Sequence, residues 1–252
     1  MKLFLSTCIF ALAALIPAQA QTNNSDFPGS VPDTCPTAAA PIWGKLVVAG
    51  NVVTCYYANG TATPTSWISL GTQTVDFANN PLLVGVYITA HNAAAISTGT
   101  IDNVSIASPS NSIYKLADSD IGAPALMGSA NLINGVWSLS GSGADIWNAS
   151  DQCNFQPWLV WGDCTIICRV TSLSTGDPWQ KIGIMVRDTY NSGSAYALFC
   201  ATRSNGVSFQ YRLAANNNPD KTTLIAPPTP GVTATPSIGY EVAGPAAYVL
   251  RP

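Results

Sequence analysis

The chain contains one histidine, His91, which directly follows the apolar segment Leu82–Ala90. A Ser–His–Asp triad would have to use this imidazole to take a proton from a serine hydroxyl. No serine stands in the Gly-x-Ser-x-Gly context of a nucleophile elbow. We therefore expect His91 to form hydrogen bonds across a strand end rather than to catalyse a reaction.

Carboxylates are the second kind of group that could do chemistry. A glycosidase needs two of them, about 5 to 9 Å apart, on either side of the scissile bond. Glu241 is the one glutamate and lies in a loop-like tail, while aspartates such as Asp163 and Asp177 fall at turns, where Asp bonds its own backbone. No predicted strand carries two carboxylates at i and i+2, so we expect no enzyme.

Pairs of aspartates also suggest a metal site. Asp118 and Asp120 are two residues apart, and Asp145 and Asp151 flank a loop. Oxygen clusters of this kind bind calcium, although the Asp-x-Asp-x-Asp-Gly pattern of a calcium loop is missing. Turn capping explains the same residues. Zinc would need paired cysteines or several histidines, so calcium is the one cofactor that the sequence leaves open.

Four tryptophans lie in or beside predicted loops: Trp147, Trp158, Trp161 and Trp179. Sugar rings stack on indole faces, which makes these residues candidates for contact with a glycan. Packing in a core or in a protein interface is the alternative, because tryptophan buries a large area wherever it is covered.

The N-terminus has the pattern of a signal peptide. Lys2 is followed by the apolar stretch Leu3–Ile16 and by the small-residue site Ala18–Ala20. The stretch is short for a membrane span, and no later segment is long and apolar enough for one. We expect residues 1–20 to be removed and the chain to be secreted, to an extracellular or cell-surface location, without a membrane partner.

Six cysteines remain after that cleavage: Cys35, Cys55, Cys153, Cys164, Cys168 and Cys200. An even number in a secreted chain predicts up to three disulfides, with fifteen pairings open. Cys164 and Cys168 cannot pair with each other, because four residues along a strand span about 13 Å.

Export also makes the Asn-x-Ser/Thr sequons possible glycosylation sites. They begin at Asn23, Asn59, Asn103 and Asn148. Asn103 lies inside a predicted strand, so the candidates for modification are Asn23, Asn59 and Asn148.

The composition limits the classes of partner that the chain can bind. Charged residues make up 9% of the chain, and without Lys2 nine basic and thirteen acidic side chains remain, a net charge near −4. Nucleic-acid binding needs a basic stripe, which is missing. This sparse, slightly acidic charge is compatible with a neutral sugar as the ligand, or with a surface that is covered by copies of the same chain.

The elements that must position these residues are β-strands. Runs rich in β-branched and aromatic residues are separated by Gly, Asn, Asp, Ser or Pro, at Val136–Ser140, Asp163–Ser172, Lys181–Asp188, Ala195–Ala201 and Gly206–Arg212. In the last run apolar and polar residues alternate, which predicts one core face and one solvent face. Ile182–Val186 is apolar throughout, as in a central strand covered on both faces. No window has helical period, so we predict an all-β protein.

The chain divides at a small polar joint near residues 108–112. Before it, segment 41–107 has two strands around the turn Ala49–Asn51, then strands at Ser66–Leu70, Gln73–Phe77, Leu82–Ala90 and Thr98–Ile106. Residues 21–40 are a flexible arm. Segment 113–252 holds the strand series, then the loop Asn216–Thr235 and a short apolar tail.

Both segments resemble halves of the concanavalin-A-like, laminin-G-like jelly-roll module of secreted bacterial proteins. Residues similar to its N-terminal half are Asp145–Trp147, Gly162–Thr171, Asp177–Asp188 and Gly206–Arg212, and those similar to its C-terminal half are Leu46–Tyr57, Val84–Asn92 and Thr100–Ile106. The resemblance implies a two-sheet antiparallel jelly-roll sandwich. It also implies that Trp147 and Trp179 occupy recurrent aromatic positions, which leaves Trp158 and Trp161 freer for a ligand.

In this chain the two halves stand in reversed order. Each chain therefore closes on itself as a circularly permuted sandwich, or the C-terminal-like half of one chain completes the other half of the next. Ala246–Arg251 resembles the strand that leads into Leu46–Tyr57, a place that Ala40–Leu46 also fills. A surplus terminal strand suits strand addition to a neighbour. We therefore expect a non-catalytic structural protein that self-assembles by strand complementation, with a filament as one form of the assembly. The alternative is a lectin-like carbohydrate-binding module.

Overall fold

The structure, a computed structural model, describes residues 41–216 and 221–225. The predicted signal peptide, the arm 21–40, Asn23, Cys35, Glu241 and the tail segment Ala246–Arg251 lie outside the described residues.

The described residues form fifteen β-strands and no helix, so the all-β prediction is confirmed. In chain order they are β1 (Ile42–Ala49), β2 (Val52–Asn59), β3 (Ile68–Thr74), β4 (Leu82–Thr89), β5 (Asn92–Ala107), β6 (Ile113–Lys115), β7 (Ser119–Ile121), β8 (Ser129–Ile133), β9 (Val136–Gly143), β10 (Cys153–Val160), β11 (Cys164–Leu173), β12 (Lys181–Arg187), β13 (Tyr196–Thr202), β14 (Val207–Arg212) and β15 (Lys221–Ile225).

The strands build two antiparallel sheets that pack as a β-sandwich. One sheet has seven strands in the order β3-β2-β1-β11-β5-β9-β8. The other has eight, in the order β15-β14-β13-β12-β4-β10-β6, with β7 also paired to β10. Alternate residues of each strand point between the sheets, so residues such as Leu46, Val84, Ile166, Ile184 and Phe199 meet in one buried core.

Strands of both sequence segments lie side by side within this one chain. From the first segment, β1 pairs with β2 on one side and with β11 on the other. Strand β4 of the same segment lies between β10 and β12. Strand β1 is thus an interior strand of the seven-stranded sheet.

A second apolar layer covers the outer face of the eight-stranded sheet. Leu83, Tyr87, Met185 and Leu198 point to this face, and Ile146 from the β9–β10 loop packs among them. Strand β12 is buried on both faces, as its apolar run predicts. The predicted solvent face of Gly206–Arg212 is wrong: every residue of β14 is buried, because loops and side chains cover the outer face of this sheet as well as the inner one.

Three predicted boundaries also differ. The predicted strands Ser66–Leu70 and Gln73–Phe77 overlap the two ends of one strand, β3 (Ile68–Thr74), which continues through Gly71 at φ 133°. The predicted loop Asn216–Thr235 contains β15. Trp158, which was expected in or beside a loop, lies within β10, where Asn154–Val160 pairs with β4.

Candidate functional site

The structure gathers the single histidine, two aspartates and a lysine at one end of the eight-stranded sheet. His91 follows β4, Asp145 follows β9, Asp177 lies in the loop between β11 and β12, and Lys181 opens β12. They meet because β4 and β12 pair antiparallel, with Thr89 opposite Lys181. We call this group the His91 cluster.

His91 lies between the two carboxylates. Its Nδ1 is 2.9 Å from Oδ1 of Asp177, and its Nε2 is 3.5 Å from Oδ2 of Asp145. Neither contact has the alignment of a hydrogen bond, although both nitrogens and Asp145 Oδ2 are buried. Because each nitrogen faces a carboxylate, neither is directed at a hydroxyl, and the arrangement is not that of a Ser–His–Asp triad.

Lys181 compensates the charge of Asp145. Its ammonium group donates to Oδ1 of Asp145 at 2.6 Å and to the carbonyl of Ile146 at 3.2 Å, and its side chain is fully buried. The ammonium also lies 5.6 Å from the ring centroid of Trp147. A buried ammonium requires such a partner, since an unpaired charge in the interior is costly.

Burial limits what the His91 cluster does chemically. The side chain of His91 is 3% exposed and that of Asp177 is 33% exposed. A substrate reaches one carboxylate but not the imidazole in this arrangement. The cluster therefore connects three loops that cross the end of the sheet.

The four candidate tryptophans make three different sets of contacts. Half-buried Trp147 and buried Trp179 lie at the His91 cluster. Trp158 packs edge-to-face on Trp137, with ring centroids 5.6 Å apart. Trp161 makes an edge-to-face contact of 5.5 Å with Tyr114, whose side chain is 60% exposed. Trp161 is thus next to a ring that faces solvent, and Tyr114 is an aromatic residue that was not among the predicted candidates.

Two further aromatic sites on the seven-stranded sheet were also not predicted. The Lys45 ammonium lies 4.4 Å from the centroid of Tyr56 and 4.3 Å from that of Trp67. On the same sheet Arg169 stacks on Trp43 and donates to Asp102. Period-two spacing from Trp43 to Lys45 could have placed both on one face. Tyr56 lies opposite Lys45 on the next strand, β2, whereas Arg169 comes from β11, far along the chain.

The predicted disulfides are wrong for the cysteines that the structure describes. Cys55, Cys153, Cys164, Cys168 and Cys200 are buried free thiols. Strand β1 separates Cys55 from β11, and two strands stand between Cys153 and Cys200 in the sheet order. Strands are about 4.8 Å apart and a disulfide tolerates about 7 Å between Cα atoms, so these separations are too large for a bridge between Cys55 and a cysteine of β11 or between Cys153 and Cys200. Burial raises the pKa of Cys200 to about 11 and that of Cys168 to about 12.

The aspartates considered for calcium are engaged elsewhere. Asp120 accepts from the backbone N–H of Gly128 and from the amide of Asn154. Asp145 belongs to the His91 cluster, and Asp151 is held by two arginines. Within the described ranges no three His, Cys, Asp or Glu side chains converge as metal ligands. Asp118 is half-buried on the approach to β7.

Two of the candidate glycosylation sites lie in the described part. Asn59 ends β2 and is exposed. Asn148 is half-buried at φ 54°, and its carbonyl accepts from Arg212. Asn103, the least favoured sequon, is exposed within β5. Asn59 therefore offers the more accessible acceptor of the two candidates.

Strand β8 is an unpredicted element with an unusual surface. It pairs on one side with β9 and ends the seven-stranded sheet on the other. Leu132 is 49% exposed, Ile133 66% and the preceding Met127 87%. We call this strand with these side chains the β8 edge. The hairpin turn Asn134-Gly135, with φ of 51° and 81°, is the sequence signal that could have predicted it.

No protein-family model, curated protein or solved structure matches this chain. In the described ranges there is also no helix with the length and hydropathy needed to cross a membrane.

Proposed function

We propose that this chain is a secreted, non-catalytic structural protein that assembles with copies of itself by β-strand complementation, forming an extracellular filament. The β-sandwich is the scaffold, and the concanavalin-like jelly roll with its halves in permuted order is the topology that we propose for it. The partner is another copy of the chain.

The observation that carries this proposal is the β8 edge. An edge strand presents unpaired N–H and C=O groups to any chain that can lie beside it, and soluble proteins commonly protect such edges with charge, proline or a bulge. Strand β8 has none of these devices: its sequence is Ser-Ala-Asn-Leu-Ile, and its pairing with β9 runs without a register shift. Exposed apolar side chains beside a free ladder favour a protein partner.

The low charge of the chain supports the same function. With charged residues at 9% of the sequence, few like charges oppose the approach of a second copy. A contact between two different surfaces of the same protein does not close on itself, so it produces a fibre rather than a dimer.

Negative-stain electron microscopy and analytical ultracentrifugation of the secreted protein test this function. We expect filaments or a concentration-dependent series of oligomers. A monodisperse monomer at all concentrations, with residues 245–252 deletable at no cost, would exclude self-assembly.

Carbohydrate binding is the second candidate, supported by the exposed Tyr114 ring beside Trp161. Two amphipathic rings at a surface suit stacking with a sugar. A glycan array tests this: binding that is lost on Trp161→Ala and on Tyr114→Ala would establish the module as a lectin. Trp158→Ala is the comparison variant, because Trp158 packs on Trp137 and against the core.

A further inference from the structure

We infer that the β8 edge is the acceptor in this assembly and that the donor is Ala246–Arg251 of a second copy. This inference rests on the proposed function and specifies which two surfaces join. It predicts a head-to-tail order in which every copy gives one strand and receives one.

The first step is the choice of edge. The sheets end at β3, β8, β6 and β15. The pairing of β3 with β2 has a register shift at Cys55/Tyr56, and such a bulge twists an edge away from new partners. Strand β6 has three residues. Strand β8 has five residues in regular register with exposed apolar side chains, so it offers a better template than β3 or β6.

The second step is the donor. Residues 246–251 read Ala-Ala-Tyr-Val-Leu-Arg, and Pro245 and Pro252 stand at their two ends. Tyr, Val and Leu suit a strand, and in a strand Tyr248 and Leu250 would share one face. Proline cannot donate to a ladder, so the two prolines limit an added strand to about the length of β8. The place that this segment resembles is filled by β1 in its own chain.

The third step is position. Strand β15 ends one side of its sheet and contacts β3 of the other sheet. The β8 edge is at the opposite side, where Lys115 of β6 lies 4.7 Å from the ring of Trp137, the residue that pairs with Leu132. The described chain therefore ends, at Ile225, on the side away from its own β8 edge. In copies stacked end to end, the neighbour's β8 edge adjoins that side.

The fourth step is reach. Twenty residues separate Ile225 from Ala246, and an extended chain spans up to about 66 Å over that length. Seven strands are about 29 Å wide at 4.8 Å spacing. The connection is long enough to reach the next sandwich.

A mixing experiment with two variants tests the pairing. One variant lacks residues 245–252 and keeps the β8 edge; the other keeps the tail and carries Ile133→Lys. We expect each to remain monomeric alone and the two to form a 1:1 heterodimer when mixed, measured by analytical ultracentrifugation. Ile68→Lys, on the exposed side of β3, is the matched control and should assemble like the wild type. Urea unfolding midpoints equal to that of the wild type establish that all variants are folded.

Cysteine cross-linking gives a second measurement that does not depend on disrupting the edge. In a chain carrying Ile133→Cys and Val249→Cys, oxidation should produce a ladder of dimers and higher species on a non-reducing gel. A cross-linked monomer would show that the tail pairs with its own chain and would overturn the inference. Filaments that persist in either of the two variants would also overturn this inference, while the proposed self-assembly itself would still stand. A wild type that never assembles would instead overturn the proposed function.

Discussion

Arg212 holds both carboxylate oxygens of Asp151, with Nη1 2.9 Å from Oδ2 and Nη2 2.6 Å from Oδ1. Arg187 reaches Oδ2 of the same carboxylate at 3.2 Å, and all three side chains are fully buried. The remaining guanidinium N–H groups are used by backbone carbonyls, among them those of Asn148 and Asn191. This triad fixes the loop after β9 and the loop after β12 over the outer face of the eight-stranded sheet.

Asp151→Asn should destabilise the fold strongly, because it leaves two buried guanidinium groups without a counter-charge. Loss of one partner from a buried ion pair costs about 3–5 kcal/mol. Urea unfolding followed by tryptophan fluorescence measures the change. Asp76→Asn, at an exposed aspartate, is the matched control and should change the free energy of unfolding by less than about 0.5 kcal/mol. Equal midpoints for the two variants would show that the triad contributes little.

The buried thiols should be unreactive in the folded protein. Burial raises the pKa of Cys153, Cys164, Cys168 and Cys200, with values of about 12 for Cys164 and about 11 for Cys200, so almost no thiolate is present near pH 8. We expect no fast reaction of these cysteines with Ellman's reagent in native buffer.

The same cysteines should all become reactive in guanidinium chloride without any reductant. Peptide mapping after alkylation identifies which of them were free. An unalkylated Cys55, Cys153, Cys164, Cys168 or Cys200 in the unfolded, non-reduced protein would contradict the free-thiol arrangement.

The local sequence pattern predicts most strands, but it does not predict which loops and side chains cover the outer faces of the sheets. Strands β12, β13 and β14 follow from runs of β-branched and aromatic residues, since such side chains suit a pleated surface. The burial of Arg212 and Gln210 does not follow, because it depends on loops that return over the sheet from elsewhere in the chain. Period two identifies two faces of a strand, and it identifies a solvent face only when nothing else covers it.

Strand β10 was not predicted because Pro157 interrupts its pattern. Proline has no N–H for a ladder and is placed at edges or gaps. Here the partner on one side is divided: β7 pairs with Cys153–Phe155 and β6 with Trp158–Val160. Pro157 stands opposite the gap, and its carbonyl accepts from Leu116. Trp158 was therefore expected in a loop, although it lies on a strand.

Asp102→Asn should reduce the amount of folding stability that is lost between pH 7 and pH 3. A hydrogen bond from Arg169 holds the pKa of Asp102 below its usual value. A lowered folded-state pKa gives stability that is complete above the unfolded pKa and is lost as the pH falls through the folded pKa. The pair is partly exposed, so its contribution is at most about 1 kcal/mol. Urea midpoints at pH 7 and pH 3 measure it, and an unchanged difference between the two in the variant would contradict the prediction.

The candidate site was predictable only in part. His91, as the one histidine, and Trp147, as a tryptophan close to Asp145, are identified by the sequence as residues of interest, but no spacing brings them together. Their meeting depends on β4 and β12 being neighbours, although about ninety residues separate them in the chain. The β8 edge depends on an absence of pairing, which a single strand's sequence does not encode.

His91→Phe should weaken the contacts through which the His91 cluster connects the three loops. An aromatic ring of somewhat larger volume remains, but the carboxylates of Asp145 and Asp177 lose the nitrogens that face them. Neither contact is an aligned hydrogen bond and Asp177 is one-third exposed, so the cost should be about 1 kcal/mol, and the loss should be concentrated where the loops meet. Hydrogen exchange should accelerate at residues 144–150 and 174–180 while the centre of β12 stays protected, because local opening needs less free energy than global unfolding. Tyr114→Phe, at an exposed ring, is the control. Exchange that is unchanged in both loops would mean that Lys181 alone holds Asp145 in place.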